Sequence, residues 1–334
     1  MSAAAPEKHV SPRGCLKSRR SKLLASLVVF IVILAAVIPP VVVTSLRKKH
    51  NNSMGPKSKV FVPLYVYPAP GAWSPLEDVY VSPFPFSPER TPPDPPSRFS
   101  KPNLIPSTRI STHPDVNFTV VINPGNGPGP NSLPDANYTR EIPKLSAYSN
   151  VRLLGYVHTT YAQRNISLVR KDIETYAAWP KQSSNQSLAV RGIFFDETPQ
   201  AYSSHSLTYL QNLTDLVKGL DGLGSEPFVV HNPGAIPDSR YLDTADSTVV
   251  FEETYSTFQE RNGAKLFTAI PDSNRTQLCA VIHSVPDSVE GSDLRGFVKE
   301  VRKVADEVFI THLSTDYYAS FGTKWAEFVD LMAA

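Results

Sequence analysis

Two clusters of carboxylates follow short apolar segments of this chain. The segment VRGIFFDE ends in Asp196 and Glu197, and the segment STVVFEE ends in Glu252 and Glu253. Apolar runs of this length and composition predict buried β-strands, so the acids follow the points where the strands leave the core. Hydrolysis of a glycosidic bond needs two carboxyl groups facing one cleft, one as acid and the other as nucleophile or base. The two clusters therefore indicate a carbohydrate-active enzyme.

A structural role is the alternative for the first cluster. Thr198 can cap a helix that begins at Pro199, and the two acids would then interact favourably with that helix N-terminus. No capping motif follows Glu252, which favours chemistry for the second cluster. We therefore expect Glu197 and Glu252 to be the acid and the nucleophile or base, in either order. Asp196 is expected to raise the pKa of the acid or to orient the sugar.

Eight strand-like segments position these acids. Most are continuously apolar, which is typical of parallel strands buried on both faces, and amphipathic helical segments separate them. This alternation predicts an α/β fold, a (β/α)8 TIM-like barrel with its active site at the carboxyl ends of the strands. A doubly wound open sheet is the alternative, but neither GxGxxG nor a P-loop follows an early strand. The predicted strands are 60–68, 118–124, 151–159, 190–197, 226–232, 247–253, 277–284 and 307–313.

Polar and aromatic side chains also follow the other predicted strands. Aromatic rings can stack on sugar faces, and amides and imidazoles can hydrogen-bond sugar hydroxyls. For each residue taken alone, a turn or supporting role is the simpler interpretation, as in the two Asn-Pro-Gly turns. The histidines lack HExxH or clustered spacing, so we expect neither a metal nor a cofactor. The candidate substrate-binding residues are Tyr67, Asn123, Tyr156, His158, Asn232, Tyr255 and His283.

The N-terminal region predicts a single transmembrane anchor. Residues 23–46 carry no charge and would span roughly 36 Å as a helix, enough to cross a hydrocarbon core of about 30 Å. The basic segment 1–22 predicts a cytoplasmic tail, and hence a single-pass type II protein whose C-terminal domain is extracellular, at the cell surface. A cleaved signal peptide is the alternative, although its apolar region is usually shorter. Residues 47–58 are expected to form a polar stalk before a catalytic domain over 59–334.

Sequons and charge agree with export. All seven N-x-S/T sequons lie beyond the predicted span and are candidate N-glycosylation sites. Residues 1–49 hold nine of the 33 basic residues but only one of the 31 acidic residues, so the remainder of the chain is net acidic. An acidic domain argues against nucleic acid as a partner. We expect a polysaccharide partner and a monomeric catalytic domain. The sequon asparagines are Asn51, Asn117, Asn137, Asn165, Asn185, Asn212 and Asn274.

Several segments together resemble the spherulin 4-like cell-surface family of fungi and slime moulds. The resemblance covers roughly residues 60–334 and is carried by VPLYVYPAPGAW, VVINPGNGPG, VRLLGYVHTTYA, GIFFDE, FVVHNPG and VVFEETY. It implies a barrel with an acidic pair after one strand and a glutamate after a later one, which match Asp196, Glu197 and Glu252. Family members include glycoside hydrolases that cut α-1,4-linked N-acetylgalactosamine polymers. The proline-rich segment 83–114 departs from the family pattern and is expected to be an exposed insertion.

Two kinds of activity remain open beside the leading one. The leading expectation is a membrane-anchored, exported endo-glycosidase that hydrolyses an α-1,4-linked galactosamine or N-acetylgalactosamine polysaccharide. The first alternative is a non-catalytic surface or cell-wall protein that binds glycan through the same groove. The second is a polysaccharide deacetylase or another metal-dependent hydrolase, which chelation would inactivate.

Overall fold

The computed structural model describes residues 54–77, 110–261, 263–266, 270 and 274–334. The predicted cytoplasmic tail and transmembrane span, and most of the proline-rich segment 83–114, lie outside these residues. No helix in the described ranges has the length and apolar character needed to cross a bilayer. The anchor over 23–46 therefore stays a prediction.

Eight parallel strands close into a barrel in sequence order, with the first strand hydrogen-bonded to the last. This confirms the predicted eight-stranded α/β barrel and excludes the doubly wound open sheet. The strand interiors are almost wholly buried, which explains why their sequences are continuously apolar. The strands are β1 (Lys59–Leu64), β2 (Phe118–Ile122), β3 (Val151–His158), β4 (Gly192–Asp196), β5 (Phe228–His231), β6 (Ser247–Thr254), β7 (Leu278–His283) and β8 (Glu307–Ile310).

Helices pack around the outside of this barrel. Three of them coincide with the amphipathic segments of the sequence, and each buries its apolar stripe against the strands. Short 3₁₀ segments lie at Ile110–Thr112, Gln186–Leu188, Ser239–Thr244 and Arg275–Gln277. The α-helices are α1 (Ala136–Ser146), α2 (Ile166–Gln182), α3 (Ser204–Gly219), α4 (Tyr255–Glu260), α5 (Gly263–Leu266), α6 (Gly291–Val304) and α7 (Trp325–Ala333).

The segment after β4 is irregular and contains no helix before α3. Helix α3 begins at Ser204, and the side chain of Ser203 caps it. The alternative in which Thr198 caps a helix beginning at Pro199 is therefore wrong. The Thr198 N–H instead donates to the main-chain oxygen of Asn232 at 3.0 Å, which ties the loop after β4 to the loop after β5.

Strand β6 contains one residue more than the part of β7 that pairs with it. Val249 and Phe251 pair with consecutive residues of β7, so Val250 is the extra residue of a β-bulge. Val249 lines the barrel interior, whereas Phe251 packs outward against helix α4. Because side chains alternate along a strand, the bulge turns Glu252 rather than Glu253 into the barrel.

The residues directly before β1 pack against the amino-terminal end of the barrel. The buried side chain of Arg302 donates from Nε to the carbonyl of Pro56 at 3.1 Å and from Nη1 to that of Leu331 at 2.9 Å. These bonds fasten the segment 54–58 to the end of helix α7. Residues 54–58 of the predicted stalk are therefore held against the barrel, and the stalk over 47–58 stays a prediction.

The start of β4 provides a test of the close strand packing. Gly192 has a φ of 145°, and a Cβ there would lie 1.9 Å from the main-chain oxygen of Phe228. We expect Gly192→Ala to lower the free energy of unfolding by about 3 kcal/mol or more, because the backbone of β5 would have to move. Chemical denaturation of the full-length chain measures this effect.

The matched control is Gly296→Ala. This exposed glycine lies within helix α6, and a Cβ there would meet no atom within 4 Å. Alanine should raise the free energy of unfolding by about 0.5–1 kcal/mol, because it has the higher helix propensity. Equal effects of the two substitutions would contradict the close approach at Gly192.

Candidate active site

Asn232 lies between two carboxylates at the carboxyl end of the barrel. Its Nδ2 donates to Asp196 Oδ1 at 2.9 Å and to Glu252 Oε2 at 2.6 Å. Its Oδ1 accepts from the N–H of Gly234 at 2.9 Å, which fixes the orientation of the amide. The two carboxylate oxygens lie no farther apart than the sum of the two bonds that Nδ2 donates. Asp196 and Glu252 therefore face one cleft, although they follow two different strands in the sequence.

Each of these carboxylates also accepts a tyrosine hydroxyl. Tyr156 Oη donates to Asp196 Oδ2 at 2.7 Å, and Tyr318 Oη donates to Glu252 Oε1. The ring of Tyr65 stands edge-on between the two, with centroid distances of 5.7 Å to Tyr156 and 5.4 Å to Tyr318. Tyr156 and Tyr318 thus hold one carboxylate each, and Tyr65 packs against the rings of both. Sequence reasoning had identified only Tyr156 among them.

Burial raises the pKa of both Asp196 and Glu252. Loss of hydration is the largest cause in each case, and repulsion from neighbouring carboxylates adds to it. Hydrogen bonds from Asn232 and the two tyrosine hydroxyls favour the ionised forms and offset part of the effect. Within the described ranges, no Lys, Arg or His side chain forms an ion pair with either acid. A proton is therefore held more tightly by these two buried acids than by two solvated carboxylates.

Glu197 differs from the other two acids because its carboxylate has no hydrogen bond or ion pair with another described residue. Its main chain is held instead: the N–H donates to Asp196 Oδ1 at 2.9 Å, and the carbonyl accepts from the Tyr161 N–H at 2.6 Å. Its φ of 53° lies in the left-handed region, which is unfavourable for glutamate. The loop therefore presents a free, half-buried carboxylate close enough to Asp196 to raise the pKa of that acid by repulsion.

Two further candidate residues lie around this cluster. Besides Tyr156 and Asn232, His158 is level with Asp196 in the pairing of β3 with β4, and its Nδ1 lies 3.1 Å from the main-chain oxygen of Asn126. His283 closes β7 and stacks on the ring of Tyr317 with a centroid distance of 4.2 Å.

Burial lowers the pKa of His283 and favours its neutral form. A neutral imidazole at this rim can both donate and accept a hydrogen bond, as recognition of sugar hydroxyls requires.

The structure does not bring the remaining candidates to the carboxylates. Asn123 Oδ1 accepts from the N–H of Gly127 at 3.0 Å, which is the turn role of an Asn-Pro-Gly segment. Tyr255 is the first residue of α4 and packs edge-on against Phe297 of α6, with centroids 4.8 Å apart. The side chain of Thr254 caps this helix, so the expectation that no capping motif follows Glu252 is wrong. Tyr67 is exposed at the rim, and its hydroxyl is bound by residues at the start of α1.

The described sequon asparagines fall into two groups. Asn137 is partly buried, and its Nδ2 donates to Tyr67 Oη at 2.6 Å, so the nitrogen that would carry a glycan is already engaged. The others are exposed, which leaves them accessible to modification, and Asn51 lies outside the described residues. Glycosylation itself stays a prediction. The exposed asparagines are Asn117, Asn165, Asn185, Asn212 and Asn274.

A second cavity lies at the opposite end of the barrel. It has a volume of about 410 Å³ and is lined in part by Lys59, Arg152 and Arg191, whereas the space beside Asp196 and Glu252 is about 40 Å³. Active sites of such barrels lie at the carboxyl ends of the strands, and the amino-terminal face serves stability. We therefore place the candidate site at the smaller cavity, where the carboxylates are. No group of His, Cys, Asp and Glu side chains suited to a metal ion occurs among the described residues.

Known proteins resemble this chain in sequence and in structure. Residues 105–332 match the model of the spherulation-specific family 4. The crystal structure of Aspergillus clavatus Sph3 in complex with GalNAc is 71% identical, covers 84% of this chain and 99% of its own, and superposes with a TM-score of 0.74. Spherulin-4 of Physarum polycephalum is 27% identical over 247 residues, which are 74% of this chain and 60% of that protein. The present chain thus spans about three fifths of the length of that relative.

The buried acid pair makes a prediction about stability and pH. Because the pKa of Glu252 is raised on folding, the folded state binds its proton more tightly than the unfolded state, where the value is about 4.3. Ionisation therefore costs stability as the pH rises from about 4 through the folded-state pKa. Glu252→Gln should be more stable than wild type at pH 7, and the difference should shrink towards pH 4.

Urea denaturation across that pH range tests this expectation. Glu253→Gln is the matched control, because the bulge turns this neighbour away from Asn232, and it should show a smaller dependence on pH. A constant difference between Glu252→Gln and wild type at all pH values would contradict the effect of burial.

Proposed function

This chain belongs to the spherulation-specific family 4, and from that premise we propose that it is an endo-acting glycoside hydrolase. Its substrate is a polysaccharide with α-1,4-linked N-acetylgalactosamine or galactosamine. The observation that carries the proposal is the pair Asp196 and Glu252 bound to one amide, with the free carboxylate of Glu197 beside them. The similarity to Sph3, whose crystal structure contains GalNAc, supports the choice of sugar.

Glu252 is the proposed general acid. Burial raises its pKa, so that the carboxyl group can keep a proton near the working pH and transfer it to the glycosidic oxygen as the C1–O bond breaks. Without that proton the departing sugar would be an alkoxide, which is a poor leaving group. The hydrogen bonds from Asn232 and Tyr318 fix the direction in which the carboxyl group points.

Glu197 is the proposed nucleophile or base. Its carboxylate has no competing partner in the described part of the chain, so it is free to meet C1 of the sugar or a water molecule next to it. Asp196 is a positioning residue in this scheme, because it accepts the Glu197 N–H at 2.9 Å and thereby holds the strained loop. The overall products are a shortened polymer and an oligosaccharide with a new reducing end.

The proposed place of action is the cell surface. The predicted anchor over 23–46 and the exposed sequons support export, and the acidic character of the chain beyond residue 50 suits a neutral or cationic polymer. A single-pass type II arrangement would leave the catalytic domain facing the cell wall.

Incubation of the full-length chain with an α-1,4-linked galactosamine/N-acetylgalactosamine polymer tests the activity. Mass spectrometry should detect oligosaccharides, and Glu197→Gln and Glu252→Gln should each lower kcat by about 10²–10⁴-fold, the usual loss on removal of an acid or base. Glu253→Gln is the control and should stay close to wild type. A wild-type chain that binds the polymer but releases no product would favour the glycan-binding alternative.

The separate roles of the two glutamates predict different responses to the leaving group. On an aryl glycoside of an N-acetylgalactosamine oligosaccharide, Glu252→Gln should retain more of the wild-type rate than Glu197→Gln, because a departing phenolate needs little protonation. With the natural polymer, wild-type activity should fall as the pH rises through the raised pKa of Glu252. Equal losses in both variants on the aryl substrate would contradict this assignment.

A further inference from the structure

Residues Thr160, Tyr161 and Ala162 form a left-handed turn directly after β3. Their φ angles are 49°, 54° and 64°, and the N–H of Gln163 donates to the Thr160 oxygen at 2.9 Å to close the turn. L-amino acids other than Asn and Asp seldom adopt this conformation, and a β-branched or bulky residue does so least of all. Three such residues in succession are a strained arrangement that the surrounding structure must hold.

The turn is held by the candidate active-site loop. The Tyr161 N–H donates to the main-chain oxygen of Glu197 at 2.6 Å, and the hydroxyl of Thr159 donates to the same oxygen at 2.8 Å. Glu197 is itself left-handed, so four of the eight non-glycine residues with positive φ in the described part belong to this one cluster. Backbone strain of this kind concentrates at functional sites, where it fixes the direction of a side chain.

The side chain of Tyr161 has no structural role in the described residues. It is 58% exposed, more than any other large hydrophobic residue there, and it forms no hydrogen bond or ring contact with them. Its neighbour Ala162 is 2% exposed and belongs to the core. Asn or Gly would satisfy the turn with less strain. The structure thus keeps an exposed aromatic ring beside Glu197, although the left-handed backbone conformation of Tyr161 is unfavourable.

We propose that Tyr161 is a stacking platform for a sugar ring bound next to Glu197. The substrate class rests on the proposed function: in a galacto-configured sugar the axial hydroxyl at C4 leaves the hydrogens on C3, C4 and C5 on one face. That apolar face packs against an aromatic ring, while the polar edges of the sugar remain free for hydrogen bonds. The left-handed turn fixes where the ring stands relative to Glu197.

The test separates substrate binding from strain. Tyr161→Asn in the full-length chain removes the ring but accepts the left-handed backbone, so it should raise Tm by relief of strain. It should also raise KM about tenfold, the loss of one stacking contact, with little change in kcat. Tyr161→Phe keeps the ring and should leave KM close to wild type.

Ser184→Gly is the matched control for strain. Ser184 is also left-handed and exposed, with a φ of 53°, but it follows helix α2 at the opposite end of the barrel. This variant should raise Tm without any change in KM. A rise in both quantities would mean that relief of strain alone alters KM.

Calorimetry with N-acetylgalactosamine oligosaccharides distinguishes failure of this inference from failure of the proposed function. If the wild type forms no product but Tyr161→Asn binds the oligosaccharide more weakly than wild type, the stacking role of Tyr161 is supported and the hydrolase activity is contradicted. If Tyr161→Asn keeps the wild-type KM and Kd, the stacking role of Tyr161 is overturned, while the proposed hydrolase activity is unaffected. Absence of oligosaccharide binding by the wild type overturns both.

Discussion

The side-chain amide of Asn232 is the interaction on which the candidate site depends. Its two N–H hydrogens go to different carboxylates, those of Asp196 and Glu252, and its oxygen is held by the N–H of Gly234. Two acids buried this close together repel each other and lose hydration, which raises the pKa of both. A fixed neutral donor between them reduces that cost without supplying a positive charge, so the proton remains available for chemistry.

The barrel explains why this amide is in reach of both acids. Asp196 ends β4, Asn232 follows β5, and Glu252 lies in β6, and these three strands are consecutive neighbours. Parallel pairing brings their carboxyl ends to one edge, although the residues are far apart in sequence. The loop after β3 adds the last constraint, because its hydrogen bonds to the Glu197 carbonyl hold that residue in a conformation it would not adopt alone.

The strands and the acids at their ends were predictable because each buried strand is a continuous apolar run with polar residues after it. Among the partners of those acids, Tyr156 and Asn232 were named from the sequence as substrate-binding residues, whereas Tyr318 was not. Tyr318 belongs to an irregular loop after β8, where no periodicity shows which side chain turns inward. Asn232 lies in a turn sequence that hides its bridging role. The surroundings of Tyr255 were also not predictable, because helix α4 begins at that residue and its ring packs against Phe297 in the helical layer.

The bulge at Val250 shows that the length of a strand can matter as much as its composition. Regular pairing of every residue of β6, without the bulge, would exchange which of two adjacent glutamates enters the barrel, although the sequence would be unchanged. In evolutionary terms, β6 should accept a deletion of Val250, which leaves Glu252 opposite Val281, more readily than an insertion between Phe251 and Glu252. An alignment that scores residue identity alone would rate these two changes alike, yet only the insertion would shift the acid relative to the cleft.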